Sequence, residues 1–336
     1  MTLVLGRADL EGLVPTEAAV RAVEEILRDL GLGTMVQPAP TALAAREHDS
    51  MFIPMTALSD RLDLTVVKVM ADIPSNRAIG EPVQRSTVLA LSRTTGECVA
   101  VLDGATLTRQ RTAAASAVAT AHLSRADSRV LGLVGAGGLA VEHVRALSLV
   151  RPFERVVVWS RGEETVRRFA DRLAALGIDL PVTSLPSPQA VTEASDVLCT
   201  LTPSKDPIVR GAWFHAGQHI NAVGAPPRPD HREIDAAGIG AAELFVDSAA
   251  TALAKSGEVL LAIAEGVLPG DPVLRGLGAV VAGRDPGRSG DAAITLFDSV
   301  GIGAQDLALA ALAIDAARSA GRGTDVVLGP QTPPTV

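Results

Sequence analysis

The stretch VLGLVGAGGLAVEHVRALSLVRPFERVVVWSR spans residues Val130 to Arg161 and decides the fold class of this chain. It begins with an apolar run, Val130–Val134, which has the length and the Val/Leu content of a buried parallel strand. A Gly-rich turn follows, and apolar residues then recur at helical spacing until a second apolar run, Val156–Trp159. The order strand, turn, helix, strand is typical of a doubly wound α/β sheet.

The turn itself is a G-x-G-x-x-A pattern, Gly135-Ala136-Gly137-Gly138-Leu139-Ala140. In this context Gly135 permits a tight turn, Gly137 admits a pyrophosphate close to the backbone, and Ala140 lets the helix pack on the strand. The free N–H groups and the positive dipole at the helix N-terminus favour phosphate. We therefore predict that residues Gly135 to Leu139 bind a dinucleotide. The alternative is a Gly-rich turn that binds no nucleotide.

The end of the second apolar run bears on the choice of dinucleotide. Folds that bind NAD(H) usually carry Asp or Glu there, which accepts hydrogen bonds from the ribose 2′-hydroxyl. This chain has Trp159-Ser160-Arg161 instead, and a hydroxyl with a guanidinium suits a 2′-phosphate that a carboxylate would repel. We therefore predict that Ser160 and Arg161 favour NADP(H) over NAD(H). Alternatively, Arg161 is a solvated residue that opens the next helix.

Composition limits the class of protein. The chain has 336 residues, enough for two domains, with 47% hydrophobic and 20% charged residues, as in a globular protein. Its net charge is −8, it has no basic run and only 2% aromatic residues, so we expect no nucleic-acid partner. No apolar run reaches the ~18 residues of a membrane span, and the N-terminus lacks the basic start of a signal peptide.

Cysteine and histidine usage gives no sign of a metal site. Cys98 and Cys199 form no C-x-x-C pair, and the six histidines lack the spacing of zinc ligands. We therefore expect a cytoplasmic protein without a metal and without a membrane partner, which acts on a small-molecule substrate.

Patterns along the chain predict the order of the elements. A helix is predicted over 15–31, and short apolar runs separated by turn residues follow over 34–103, as in an antiparallel sheet. Ala-rich helices are predicted over Thr108–Ser124 and Gln305–Ala320, followed by a tail that we expect to be disordered because of Pro330, Pro333 and Pro334. Further strands are expected at Val197–Leu201, His219–Val223, Leu244–Val246 and Val280–Ala282.

The last helix adds no new βα unit, which suggests that it returns to the N-terminal region. We therefore predict an α/β fold with a Rossmann-type doubly wound sheet over 127–304. The second domain is predicted to be a discontinuous α+β substrate domain, formed by residues 1–126 and 305–336.

Lys68 is the first candidate for chemistry. On a strand of period 2 it shares a face with Val66 and Met70, and an inward lysine is costly unless it is paired or functional. Burial would lower its pKa and suit it to polarising a C=N or C=O bond or to donating a proton. The alternative is an edge-strand lysine that points to solvent.

Arg111 is the second candidate. If Thr108 caps the Ala-rich helix, Arg109 and Arg111 lie in the first turn, where two arginines oppose the helix dipole. An anionic ligand would relieve that conflict; ordinary surface charge is the alternative. Two turns, Thr200–Ser204 and Asn221–Gly224, follow predicted strands at the edge where doubly wound folds bind ligands.

These residues together resemble the ornithine cyclodeaminase/μ-crystallin family over nearly the whole chain. The matching segments are Lys68 with Pro74-x-Asn76, Leu107-Thr108 through Arg111-Thr112-Ala113-Ala114, Gly135-Ala136-Gly137, Thr202-Pro203-Ser204, Asn221-Ala222-Val223-Gly224, Pro229 through Glu233, Phe297 through Gly301, and Asp306-Leu307. Each segment alone is unspecific, but the ordered combination is specific.

The resemblance implies a homodimer built on the N-terminal β-rich domain and a Rossmann domain that binds NAD(P)(H). It implies hydride exchange at a carbon–nitrogen bond, with Lys68 polarising the substrate or protonating nitrogen and Arg111 binding a carboxylate. It also adds candidates for cofactor binding, namely Thr112, Thr202, Val223 and Gly301. Candidates for substrate binding are Asn76, Arg228, Asp230 and His231.

Two departures from the family pattern bear on the substrate. Pro40 stands where the family has an arginine that grips the substrate carboxylate, and Pro226 and Pro227 stand in the loop where the cyclodeaminases have an acid. The cyclodeaminase glutamate near Met51–Pro54 is also absent. Ornithine cyclodeamination is therefore not the expected reaction.

The expected function is the NADPH-dependent reduction of an imine, either cyclic or linear. One alternative is an amino-acid dehydrogenase or cyclodeaminase whose acidic residues have moved. The other is a non-catalytic protein that binds NADPH and sequesters a small ligand.

Overall fold

The computed structural model describes residues 1–45 and 49–328, so the predicted disordered tail lies outside the described residues. The strands are β1 (Thr2–Leu5), β2 (Met35–Val36), β3 (Leu43–Ala44), β4 (Met51–Ser59), β5 (Leu64–Asp72), β6 (Gln84–Ser92), β7 (Cys98–Asp103), β8 (Val130–Val134), β9 (Arg155–Trp159), β10 (Val182–Ser184), β11 (Val197–Thr200), β12 (His219–Ala222), β13 (Glu243–Val246), β14 (Arg275–Gly276), β15 (Thr295–Asp298) and β16 (Thr324–Val326).

The helices are α1 (Arg7–Leu10), α2 (Thr16–Leu32), α3 (Gly104–Leu123), α4 (Gly138–Leu147), α5 (Glu163–Ala175), α6 (Pro188–Ala194), α7 (Ala236–Ala241), α8 (Ala249–Lys255), α9 (Gly257–Ala264), α10 (Leu277–Val281) and α11 (Gly303–Ala320). Two 3₁₀ helices lie at Pro74–Ile79 and Gly211–Trp213. Among the described residues, no helix combines the length and the apolar character that a membrane crossing requires.

The first sheet is mostly antiparallel, with the order β16-β1-β7-β6-β5-β4-β2 and β3 beside β4. Its side chains alternate between two faces. In β5 the inward residues Val66, Lys68 and Met70 are buried, whereas Val69 on the outward face is 39% exposed. α3 and α11 pack on the inward face, and α2 packs on both helices. Lys68 is therefore an inward residue of a central strand, and the alternative of a solvated edge lysine is wrong.

α3 begins four residues earlier than predicted. Asp103 is its N-cap residue, and its carboxylate accepts a hydrogen bond from the backbone N–H of Ala105 at 3.0 Å. Thr108 therefore lies inside the helix and does not cap it, and Arg111 lies beyond the first turn. The argument that two arginines oppose the dipole is wrong, because that effect is confined to the first turn.

The second sheet is parallel throughout, with the order β10-β9-β8-β11-β12-β15-β13-β14. β8 pairs with β9 on one side and with β11 on the other, so the order of the strands reverses at β8. In doubly wound sheets a crevice opens at this point, at the carboxyl ends of the strands. This is the doubly wound arrangement, and it confirms the predicted fold class.

Two assignments in this sheet are wrong. The run Val280–Ala282 is helical in its first part, because Val280 and Val281 belong to α10, which packs on α2. The strand β15 was not predicted, although it is an interior strand of the sheet, between β12 and β13. A short apolar run carries no period that separates strand from helix, so neighbours in space decide its conformation.

Both ends of the chain contribute to the first sheet and its helices. β16 pairs with β1, and α11 packs against α2, α3, β4 and β5. The last helix thus returns to the N-terminal region, as its position in the sequence suggested. The domain boundaries at 126/127 and 304/305 stay a prediction.

Candidate active site

The Gly-rich turn lies between β8 and α4 at the switch point of the second sheet. Gly135 has a φ of +115°, and a Cβ on this residue would lie 2.9 Å from the carbonyl oxygen of Leu201. Only glycine fits there without strain. At Gly137 an added Cβ would meet no atom within 4 Å, so the space beside this backbone is open. The turn therefore has the backbone geometry and the free volume that a pyrophosphate needs.

A first cleft, of about 290 Å³, opens at the carboxyl ends of β8, β9 and β11. Six predicted cofactor residues line it, namely Gly135, Ala136, Gly137, Ser160, Arg161 and Thr202. Arg77, which the sequence did not single out, reaches this cleft from the 3₁₀ helix after β5. None of the described residues that line the cleft is acidic. The lining residues therefore suit a dinucleotide, and the two arginines favour additional negative charge.

A second cleft, of about 240 Å³, adjoins the first, and Leu201 and Pro203 line both. Five predicted residues line the second cleft, namely Arg111, Thr112, Leu139, Val223 and Gly301. Gly138 lies outside both clefts, in a groove beside α5 that contains Arg168. The two clefts therefore meet at Leu201 and Pro203, with Arg161 after β9 in the first cleft and Arg111 of α3 in the second.

A buried carboxylate connects two polar turns at the rim. Glu233 is fully buried and accepts hydrogen bonds from the backbone N–H and the hydroxyl of Thr202, both at 2.6 Å, and from the N–H of Gly224 at 2.7 Å. The turns after β11 and β12 are therefore held together. Because the Thr202 hydroxyl already donates its proton to Glu233, it cannot donate the same hydrogen bond to a ligand.

Lys68 lies beneath the second cleft, with its side chain fully buried. Its Nζ donates to the hydroxyl of Thr108 at 2.7 Å and to Oδ1 of Asp306 at 2.9 Å. Thr108 itself lines the second cleft. The ammonium group is thus one hydroxyl away from the place where a substrate would lie.

Burial lowers the pKa of Lys68 to about 8, because desolvation disfavours the ammonium form. The negative charge of Asp306 opposes this shift, and the positive charge of Arg111 adds to it. Lys68 therefore remains mostly protonated at pH 7 and is a stronger acid than an exposed lysine. Such a group can donate a proton near neutral pH.

Arg111 is buried on α3 and faces the same carboxylate. Its Nη1 donates to Oε1 of Gln305 at 2.9 Å, and its Nε lies 3.5 Å from Oδ1 of Asp306. Gly301 packs against the guanidinium: its φ is +73°, and a Cβ there would lie 2.5 Å from Nη1 of Arg111. The alternative that Arg111 is ordinary surface charge is wrong.

Two of the candidate substrate residues have other partners. The amide of Asn76 donates to the carbonyl oxygen of Pro82 at 2.9 Å and closes the loop after β5. The guanidinium of Arg228 donates to Asp72 at 2.6 Å and to Asp49 at 2.7 Å. Arg228 thus links the second sheet to the first, and its contacts give no support to a role in substrate binding.

The other two candidates form a surface cluster. Asp230 lies 3.0 Å from Nζ of Lys205 and 2.9 Å from Nδ1 of His231, and these contacts lower its pKa to about 2. Neither Asp230 nor His231 lines the two clefts. A role of Asp230 and His231 in substrate binding, or as a substitute for the acid that the loop lacks, therefore has no geometric support.

Of the positions that depart from the family pattern, some line the second cleft and one does not. Pro226 and Pro227 do line the second cleft, so the loop that lacks an acid faces the site. Pro40 is half-buried between β2 and β3 and lines neither cleft. Among the residues that the structure describes, no group of three His, Cys, Asp or Glu side chains has the arrangement of a metal site.

Sequence reasoning missed a further cation, Lys255. It lies at the end of α8, is 7% exposed, and donates to the carbonyl oxygen of Gly301 at 3.3 Å. A signal was present in the composition: the chain has only three lysines, Lys68, Lys205 and Lys255, beside 27 arginines. Two of the three are buried at this site.

A doubly wound sheet with a G-x-G-x-x-A turn, beside a cleft with buried cations, defines a two-domain protein of the dinucleotide-binding class. The ornithine cyclodeaminase/mu-crystallin family model matches residues 1–321. The chain belongs to this family, which confirms the resemblance seen in its motifs.

Three of the proteins that this chain resembles have named activities. The iminosuccinate reductase of Paracoccus denitrificans is 34% identical over 96% of this chain and 99% of its own. The Thermococcus litoralis Δ1-pyrroline-2-carboxylate reductase, solved with NADH and L-proline, has a TM-score of 0.92 at 32% identity and covers 97% of this chain and 100% of its own. An archaeal alanine dehydrogenase dimer with bound NAD has a TM-score of 0.88 at 30% identity, with 98% and 99% covered.

Proposed function

We propose that this chain is an NADPH-dependent reductase of an imine substrate. The observation that carries the proposal is the buried Lys68, whose ammonium donates to Thr108 at the wall of the second cleft and is held there by Asp306. Two of the three relatives above are named as reductases of C=N compounds, iminosuccinate and Δ1-pyrroline-2-carboxylate.

In this proposal the residues of the first cleft would hold the adenosine part of the dinucleotide, and those of the second would lie beside its nicotinamide and the imine. When bound, NADPH would supply a hydride for the imine carbon. Lys68 supplies the proton for the imine nitrogen through the Thr108 hydroxyl or through a water. Arg111 orients an anionic group of the substrate. The C=N bond thus gains one hydride and one proton and becomes a C–N single bond with a new N–H.

The two alternatives fit the site less well. A cyclodeaminase needs an acid beside the substrate, but Pro226 and Pro227 line the cleft where the family's cyclodeaminases carry it, and Asp230 is paired with Lys205. An amino-acid dehydrogenase would run the same hydride exchange in the opposite direction. A non-catalytic NADPH-binding protein has no need of a buried lysine with a lowered pKa beside the cleft.

Turnover separates the three hypotheses. With excess NADPH and a panel of cyclic and linear imines, the reductase hypothesis predicts oxidation of NADPH, followed at 340 nm, with at least one panel member. Ammonia release from ornithine with NAD, without imine reduction, would support the cyclodeaminase. NADPH binding without turnover on the whole panel would support the binding protein.

NADP(H) is the proposed cofactor, with NAD(H) as the weaker ligand. Ser160 and Arg161 lie at the end of β9 without an acidic neighbour in the cleft, and Arg77 faces them from the first sheet's domain. The two solved relatives hold NADH and NAD, so this preference rests on the residues of this chain.

Replacing Arg161 with Ala tests the cofactor preference. We expect NADPH to bind about 10- to 100-fold more weakly and NADH about equally well, since a charge-assisted contact to the 2′-phosphate contributes ~1.5–3 kcal/mol. Isothermal titration with both nucleotides measures this. Arg167→Ala is the matched control, because Arg167 is exposed on α5 and paired with Glu164. Equal losses for NADPH and NADH would contradict the assignment.

A homodimer built on the outward face of the first sheet is the proposed assembly. Apolar side chains on this face stay exposed in the single chain, between 37% and 41% for Val4, Phe52, Val69 and Leu89. The register places Leu89 opposite Val67 and Val101, and Val101 beside Val4, so these side chains form a continuous row. A contiguous apolar face of this kind marks a protein interface.

Replacing Leu89 with Lys is expected to yield a monomer, because it places a charge at the centre of the buried interface. Light scattering after size-exclusion chromatography reports the mass. Val273→Lys is the control, since Val273 is 97% exposed in a loop outside this face. A Leu89→Lys protein that stays dimeric would place the interface elsewhere.

A cytoplasmic location stays part of the proposal, since Cys98 and Cys199 are free thiols.

A further inference from the structure

Lys255 is an unusual residue in this chain. The protein uses 27 arginines and only three lysines, and the single exposed lysine, Lys205, is paired with Asp230. Lysine and arginine differ in one respect that matters under burial: the lysine amine can lose its proton, whereas the guanidinium keeps its charge. A buried lysine in an arginine-rich chain therefore points to a function of the amine.

Lys255 holds one side of the peptide against which Arg111 packs. Its Nζ donates to the carbonyl oxygen of Gly301 at 3.3 Å, and the N–H of the same residue donates to Oδ2 of Asp247 at 2.8 Å. Gly301 is left-handed, and there is no room for a Cβ between it and the guanidinium of Arg111. The position of this turn therefore sets the position of Arg111.

The contacts continue from this turn to the floor of the second cleft. Oδ2 of Asp247 also accepts from Nε2 of Gln305 at 3.3 Å, and Oε1 of Gln305 accepts from Arg111 at 2.9 Å. Arg111 in turn shares Asp306 with Lys68. One buried network thus joins α8, the end of β13, the start of α11, α3 and β5.

The network contains more positive than negative charge. It has three cations, Lys68, Arg111 and Lys255, and two carboxylates, Asp247 and Asp306, all at most 7% exposed. A further carboxyl that interacts with Lys255 is Asp298, whose pKa burial raises to about 7, so it carries only part of a charge at neutral pH. Excess positive charge is costly in a buried site unless an anion balances it.

Unsatisfied polar atoms also face this region. The buried hydroxyl of Ser299 lines the second cleft and has no hydrogen-bond partner among the described residues. The second carboxylate oxygens of Asp247 and Asp306 are likewise buried and without a described partner. Buried polar atoms of this kind are normally satisfied by water or by a ligand.

We infer that Lys255 is a positioning residue for the imine substrate, which it selects as an anion: through Gly301 it fixes Arg111, and its charge adds to the positive potential of the second cleft. An anionic group on the substrate is what the family resemblance already implies for Arg111. The inference rests on the proposed function and adds to it Lys255 as the residue that positions Arg111 and makes anion binding depend on pH.

The inference makes anion binding depend on pH. Desolvation lowers the pKa of Lys255 to about 8, with Asp247 opposing the shift and Arg111 and Lys68 adding to it. Below that pH the ammonium is present and the anion is favoured; above it the charge and its effect are lost. The charged or titratable groups that face Lys255 are Asp247, Asp298, Asp306, Arg111 and Lys68.

Binding of pyrrole-2-carboxylate, an unreactive planar analogue of a cyclic imino acid, to the NADPH-loaded protein tests this. At pH 7 we expect Lys255→Met to weaken binding about tenfold, as the loss of one partly buried charge implies, with NADPH affinity unchanged. The ratio of the two dissociation constants should fall by pH 9.5, because the wild type then loses its charge and keeps only the hydrogen bond to Gly301. Lys255→Arg should restore binding at pH 7 to within about threefold, and Lys205→Met should match the wild type.

A merely structural role predicts a ratio that stays constant with pH, and that result would overturn the inference. So would equal binding by Lys255→Met and the wild type. A second readout, NMR of the protein with ¹³C-labelled lysine Cε, needs no turnover and gives only three lysine signals. The signal that is lost in Lys255→Arg belongs to Lys255. We expect it to titrate near pH 8, and we expect the pKa of Lys255 to rise when the analogue binds. A wild type that reduces neutral imines only, and does not bind the analogue, would reject the inference and leave the reductase proposal intact. If no imine is reduced and no analogue binds, both are wrong.

Discussion

Replacing Lys68 with Met is expected to lower kcat for imine reduction by about 10³-fold, the range that a positioned proton donor contributes. Methionine nearly fills the space of the lysine stem but donates no proton to Thr108, the residue that Nζ contacts at 2.7 Å. NADPH affinity should stay within about twofold, since Lys68 lines neither of the two clefts. Steady-state kinetics with an imine and fluorescence titration with NADPH measure the two effects.

Two further variants show whether the proton or the charge matters. Lys68→Arg keeps a charge but gives up no proton near neutral pH, so its kcat should stay low. Lys205→Met removes an exposed lysine and should leave kcat unchanged. In the wild type, kcat should fall as pH rises through about 8, since only the ammonium form of Lys68 donates. A loss of kcat smaller than about tenfold in Lys68→Met would exclude Lys68 as the proton donor.

Replacing Asp306 with Asn is expected to lower the free energy of unfolding by about 3–5 kcal/mol, the cost of removing one partner from a buried ion pair. Asp306 is fully buried, and its Oδ1 accepts from Lys68 at 2.9 Å and lies 3.5 Å from Nε of Arg111. Without its charge, two buried cations lose a common partner. Urea denaturation followed by circular dichroism measures the change.

The same variant should alter the pH dependence of the reaction. The charge of Asp306 holds the pKa of Lys68 up against desolvation, so its removal should move the fall of kcat to a pH below 8. Asp315→Asn is the control on the same helix, because Asp315 is exposed and should change stability by less than about 0.5 kcal/mol. Equal stability of the two variants would contradict the assigned role of Asp306.

Local patterns predicted the elements that local forces determine. The strand and helix from Val130 onward follow from the spacing of their apolar residues. The turn between them requires a positive φ at Gly135, which only glycine adopts without strain. Alternation along β5 placed Lys68 on the face of Val66 and Met70, which is the buried face. It left the choice between inside and edge open, because the neighbours of β5 are set by pairing and not by its own sequence.

The rest depends on contacts between residues that are distant in sequence. Asp306 lies 238 positions from Lys68, and Asp72 lies 156 positions from Arg228, so one sequence gives no sign that these charges meet. The predicted start of α3 was wrong because Asp103, a stronger N-cap residue than Thr108, lies five residues earlier and caps the helix. Lys255 was predictable in part, since a rare residue type in a long chain is itself a signal.

The most direct test of the central claim is the fate of the hydride. NADPH that carries deuterium at C4 of the nicotinamide, on one face or the other, is incubated with the protein and Δ1-pyrroline-2-carboxylate or another imine of the panel, and the product is analysed by mass spectrometry and NMR. The account predicts one deuterium on the carbon bonded to nitrogen, delivered from one face only, and proline as the product of the cyclic imine. Absence of deuterium from every imine of the panel, with NADPH consumed no faster than in buffer, would contradict it.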